Sequence, residues 1–170
     1  MVKRYLEQGD RVTVSGKNVM VVEKILRSEC LVLQDKEDVL ATANLEHNEA
    51  GYIKAMPDDF FTPQPVIGAA AYYLHWILHD WPDSECLVIL SRLRDAMTPA
   101  HSRLLIHEVV VPARDPTVFV TQVDIIMMTF SGSERTEQMW KDLLRRAELS
   151  IVKIWTSVEA NEFVIEAIRD

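Results

Sequence analysis

The sequence predicts an α/β fold: a mainly parallel sheet with a reversed last strand and helices on both faces. Three observations carry this. Short apolar runs of strand length alternate with helical runs along the chain, the pattern of β–α–β units. The last two strand-like runs, residues 150–155 and 161–167, are joined by about five residues; a parallel crossover needs a dozen or more, so that pair is antiparallel. The carboxyl ends of the predicted strands carry Ser15-Gly16, Asp35, Asp58-Asp59, His79-Asp80 and Glu108, at the edge where open α/β sheets bind ligands.

The elements follow in order. Residues 12–14 form a short apolar strand, and residues 19–27 read as a helix. Residues 30–34, CLVLQ, form a buried strand ended by Asp35, and residues 38–43 a short helix. Residues 52–55 make a weak third strand; Pro57, Pro63 and Pro65 then keep the chain irregular. The continuous apolar run 69–77 suits a central strand covered on both faces. Residues 83–97 form a helix with Cys86, Leu90, Leu93 and Met97 on one stripe and Arg92, Arg94 and Asp95 turned away; Pro99 follows its end. Residues 103–111, RLLIHEVVV, are a buried strand closed by Pro112. Residues 123–130 are an apolar helix, and residues 136–147 an amphipathic one with Thr136 as N-cap.

Bulk properties narrow the function. The 170 residues suggest one domain spanning 1–170, large enough to bury a core without staples. A net charge of −8 argues against nucleic-acid or anionic-membrane partners, while leaving room for an anionic ligand in a locally positive pocket. Cys30 and Cys86 lie in apolar stretches and read as reduced core thiols. No apolar run approaches a membrane span, and MVKRYLEQGD lacks the apolar segment of a signal peptide, so a cytoplasmic protein is expected.

The chemistry concentrates in HWILHDWPD, residues 75–83. His75 and His79 with Asp80 or Asp83 would make three metal ligands only if both histidines shared a helix, which the strand-like run and Pro82 oppose. No metal is therefore expected. His79 at a strand end suits a general base, provided a carboxylate fixes its tautomer and stabilises the imidazolium. Glu108, inside an apolar strand where a carboxylate must be paired, and Glu134, in a loop before a helix, are the candidates. Each also has an ordinary reading, as a strand-end carboxylate reaching water and as helix-N-terminal charge. Asp35 suits ribose hydroxyls or a loop cap. Asp59-Phe60 suits a stacked adenine or an Asx turn before a buried aromatic residue.

Residues 58–90, DDFFTPQPVIGAAAYYLHWILHDWPDSECLVIL, with LLIHEVVVP, DIIMMTFSGSERTEQMW and SVEANEFVIEAI, resemble the catalytic domain of plant- and fungal-type small-molecule O-methyltransferases. The resemblance runs from about Tyr5 to the C-terminus. It implies a Rossmann-like class I methyltransferase sheet and S-adenosylmethionine as methyl donor. It implies His79 as general base flanked by Glu108 and Glu134, with Gly16, Asp35, Asp59, Phe60 and His75 on the cofactor side. Met127 and Asp80 fall on the side of a small aromatic or polyketide-like substrate.

Three departures qualify this. The glycine loop reads VTVSGKNVMVV, with Gly16 its single glycine and a β-branched Val19 that cannot cheaply adopt a positive φ. His75 stands where the family often has Lys or Arg. The family's helical N-terminal domain, which usually makes the dimer and covers the pocket, is missing before the first strand, so a homo- or hetero-oligomer covering that face is expected. Three functions follow: methyl transfer to a phenolic or enolic hydroxyl; donor-independent cyclisation, dehydration or isomerisation by the same acid–base group; or a non-catalytic partner subunit.

Overall fold

The computed structural model describes residues 11–15, 30–42, 53–129, 131–156 and 162–170. The expected helix over 19–27, Gly16, Val19 and the turn between the last two strands lie outside the described residues.

The strands are β1 (Arg11–Ser15), β2 (Cys30–Asp35), β3 (Ile53–Pro57), β4 (Ala71–His75), β5 (Arg103–Val111), β6 (Arg135–Thr136), β7 (Leu149–Thr156) and β8 (Glu162–Arg169). The helices are α1 (Glu37–Leu40), α2 (Asp83–Ala96), α3 (Val118–Met128) and α4 (Glu137–Arg146). They build a sheet of order β3-β2-β1-β4-β5-β8-β7, with the two-residue β6 paired to β5 off this path. The pairings from β3 through β5 are parallel, and β8 lies antiparallel to both β5 and β7. The chain reverses its direction of travel across the sheet between β1 and β4. Ligands of open α/β sheets bind beyond the strand ends at such a point.

Apolar runs became strands where burial covers both faces: Ala71 to Leu74 are all buried, as are Leu104 to Ile106. The stripe expected on α2 is buried as Cys86, Leu90, Leu93 and Met97, joined by Ile89. Trp140, Leu143 and Leu144 of α4 close the core from the same cluster. Thr136 caps α4, accepting from Met139 N.

Several bounds shift for local reasons. The expected strand 69–77 ends at His75 because Trp76 takes φ 54°, which no strand residue adopts. The helix expected at 123–130 begins earlier, since Thr117 accepts from Val120 N and caps it. The third strand runs to Pro57, an edge position where proline's missing N–H costs no ladder bond. No helix among the described residues is long and apolar enough to cross a membrane.

Candidate active site

The site grows from the break at the end of β4. Trp76 turns the chain through the left-handed region, a costly conformation for a bulky residue that persists only where the surroundings over-determine it. Its N–H stays on the sheet, donating to His107 O at 3.2 Å. The next two N–H groups, of Ile77 and Leu78, both donate to Glu108 Oε1 at 2.9 Å. A single 3-10 turn, Leu78–Asp80, then carries His79.

Glu108 comes from mid-β5 and is fully buried. Its Oε2 lies 3.9 Å from His79 Nδ1 and has no hydrogen-bond partner among the described residues. Burial pushes the Glu108 pKa up to about 7, against the opposing pull of His79 and the two backbone N–H groups. Because Oε1 already accepts two N–H bonds, a proton bound here belongs on Oε2.

Glu134 approaches from the loop before β6. Its Oε1 stands 2.9 Å from His79 Nδ1, and its own N–H donates to Asp124 Oδ1 of α3 at 3.0 Å. This contact fixes the tautomer: Nδ1–H donates to the carboxylate and leaves Nε2 as the basic nitrogen. On that side the nearest carboxylate is the exposed Asp80, with Oδ1 3.5 Å from Nε2. Burial alone would lower the His79 pKa. The Glu134 hydrogen bond and the charges of Glu108, Glu134 and Asp80 outweigh it and hold the imidazole above its ordinary value. The Trp76 ring meets the imidazole edge to face at 5.4 Å.

Residues that sequence reasoning passed over hold this turn. Gly132 backs onto His79: a Cβ there would sit 2.1 Å from His79 O, and Ser133 N donates to that oxygen at 3.0 Å. Arg135, 1% exposed, donates to Leu78 O and Trp81 O at 2.9 and 2.8 Å. The run SGSERTE offered one signal, a glycine and an arginine bracketing the glutamate, but spacing alone does not say what they face.

A cavity lies at the ends of β2 and β3, lined by Asp35, Asp59, Phe60, Gln34 and Gln64 among others. Asp35 Oδ1 accepts from Lys36 N at 2.8 Å. Asp59 does form the Asx turn, accepting from Phe61 N at 3.1 Å. Phe60 packs edge to face on Phe61 and Trp81. Gln64 Oε1 accepts from Val66 N and from Gln34 Nε2, which fixes both amide orientations.

The remaining expected residues are dispersed. His75 sits in an aromatic group with its ring 4.5 Å from that of His107, its register partner on β5. Met127 is half-buried on α3, its carbonyl accepting from Gly132 N. Cys86 is a free, buried thiol against Leu78 O and Trp81 O, its pKa pushed up to about 11 by burial. Among the described residues no group of three or more His, Cys, Asp or Glu side chains is arranged to hold a metal ion.

This arrangement has counterparts. Residues 11–150 match the model of the O-methyltransferase domain. The chain is 44% identical over 140 residues to methyltransferase cfoC of Aspergillus candidus, covering 82% of this chain and 34% of that protein. It is 38% identical over 163 residues to O-methyltransferase ATR12 of Stachybotrys chlorohalonatus (strain IBT 40285), covering 92% and 41%. The solved structure of OxaC in complex with SAH and oxaline superposes with a TM-score of 0.86 at 33% identity, covering 94% of this chain and 42% of that one. The chain thus spans roughly a third to two-fifths of the length of these proteins.

Proposed function

The chain belongs to the O-methyltransferase domain family, and on that premise we propose that it methylates a phenolic or enolic hydroxyl of a small aromatic or polyketide-like molecule, with S-adenosylmethionine as donor. The observation that carries the reading is His79, with Nδ1 on Glu134 at 2.9 Å and Nε2 left toward the exposed Asp80.

His79 Nε2 accepts the hydroxyl proton as the oxygen becomes nucleophilic. Glu134 stabilises the imidazolium that forms; Glu108 pins the turn through two N–H groups and adds negative charge only above its raised pKa of about 7. General-base catalysis of this kind contributes about 10²- to 10⁴-fold. Met127 and Asp80 are the substrate-side residues.

The donor's nucleoside portion is assigned to the cavity at the ends of β2 and β3 by the chemistry of its lining. Asp35 would take a ribose hydroxyl, Phe60 offers an aromatic face, and the Gln34 and Gln64 amides line the same cavity and suit a heterocycle edge. Asp59, His75 and Gly16 complete the proposed donor side. When bound, the donor supplies an electrophilic sulfonium methyl group.

In this reading residues 1–170 form one catalytic domain. Helix α3 exposes Val118, Ile125, Ile126 and Met128, which supports an oligomer or further domain covering that face. The methyltransferase names of the relatives favour methyl transfer over a donor-independent rearrangement or a non-catalytic subunit.

The test is calorimetric titration with S-adenosylmethionine and S-adenosylhomocysteine, followed by a methyl-transfer assay over a panel of phenols. Micromolar donor binding and methylated product support the reading. No binding at millimolar donor overturns it for this chain.

A further inference from the structure

We propose that Arg135 is a positioning residue for the His79 general base: its buried guanidinium, braced by Asp83, grips the turn carrying His79 by the carbonyls on both sides of it. This rests on the role of His79 proposed above.

The geometry is a fork spanning the turn. Arg135 Nη1 donates to Leu78 O at 2.9 Å, and Nη2 to Trp81 O at 2.8 Å. Nε and Nη2 also reach Asp83 Oδ1 at 3.1 and 3.0 Å, and Asp83 Oδ2 accepts from Arg146 at 3.1 Å. The guanidinium lies 5.3 Å from the centre of the Trp140 ring. The main chain adds to this grip, since Ser133 N donates to His79 O. Segment 133–135 therefore engages the carbonyls of Leu78, His79 and Trp81 and, through Glu134, the imidazole itself.

The chemistry indicates what this is for. Taking a guanidinium out of water costs several kcal/mol, and a packed apolar side chain at such a place is often neutral or stabilising. An apolar side chain cannot bond two carbonyls three residues apart. What the arginine adds is a fixed place for that turn. Because Glu134 precedes it directly in the chain, the same residue also sets where the carboxylate meets Nδ1. Misplacing a reacting group by about 1 Å can cost about 100-fold in rate.

The experiment compares R135M with the 170-residue wild type in two ways. The first follows His79 side-chain nitrogens by NMR across pH. In wild type His79 titrates above the ordinary value, held by Glu134, Glu108 and Asp80. In folded R135M it is expected to move down toward about 6.5 as the Nδ1 contact loosens. The second measures turnover on two phenols, one neutral and one already ionised at the assay pH. The expected result is a loss of about 10- to 100-fold in kcat for the neutral phenol, a much smaller loss for the ionised one, and little change in donor KM. An unmoved His79 titration in a folded variant overturns the proposal, as does an equal loss on both phenols. If R135M does not fold, D83N removes the brace from the solvent side and must shift His79 the same way by less. A wild type that methylates neither phenol counts against the function proposed above, and the NMR arm then decides this one alone.

Discussion

Replacing Gly132 by alanine tests the site at its tightest point. The added Cβ would lie 2.1 Å from His79 O, with Asp80 Cα at 3.1 Å and Asp80 C at 3.2 Å. Real Cβ contacts almost never fall below 3.0 Å, so the two backbones must separate by about 0.9 Å, the difference between 3.0 and 2.1. The obstacle is main chain on both sides and has no flexible end to swing away. The separation stretches the 3.0 Å bond from Ser133 N to His79 O and draws Glu134 from the imidazole. Overpacking of this kind costs about 1–3 kcal/mol. For a chain of this size each kcal/mol lowers Tm by about 2–4 °C. The displacement of the base predicts a loss of up to about 100-fold in kcat, with donor affinity preserved because the cavity beyond β2 and β3 is not touched. Thermal melts, donor titration and turnover read the three quantities separately. A G132A protein with wild-type Tm and wild-type kcat would refute the reasoning, because it would mean that the loop does not pack on His79 as described.

Further outcomes are expected at the base, at its carboxylates and at the donor cavity. H79A should lose about 10²- to 10⁴-fold in methyl transfer; E134Q should lose less, and the acid limb of its pH–rate profile should move to lower pH, because the contact that raises the His79 pKa is weakened. Wild-type stability should fall as pH rises from about 4.5 to about 7: there the native Glu108 still holds a proton that the unfolded chain has lost, and native His79 gives a slope of the same sign above its unfolded pKa. Denaturant melts of E108Q should show a flatter dependence and greater stability at pH 8 by a few kcal/mol, since the amide still accepts from Ile77 and Leu78. D35A should weaken donor binding by about 10- to 100-fold, the worth of a charge-assisted hydrogen bond, with His79 titrating as in wild type; calorimetry and NMR decide both halves.

Alternation of strand-like and helical runs was enough to read the parallel sheet, and the short final connection to read its reversed strand. Those signals are local: a period of residues, a loop too short for a crossover. Glu108 was legible as a carboxylate in an apolar run that must be paired, and His79 as a histidine beyond a strand end, where open sheets place their ligands. Glu134 was a candidate from the sequence, but its partner was not legible, because a glutamate in SGSERTE reads equally as helix-N-terminal charge until β5 and the 3-10 turn close around it. The contact between His79 and Glu134 joins residues 55 positions apart, and no periodicity carries it.

By itself the sequence determined the fold class, the strand polarity, the family and the types of group at the strand ends, because hydrophobic patterning and chain length constrain these locally. The tertiary structure alone decided which carboxylate oxygen faces which imidazole nitrogen, which glycine must lack a side chain and why an arginine is buried. Those are questions of distances under 4 Å between distant segments, and only packing sets them.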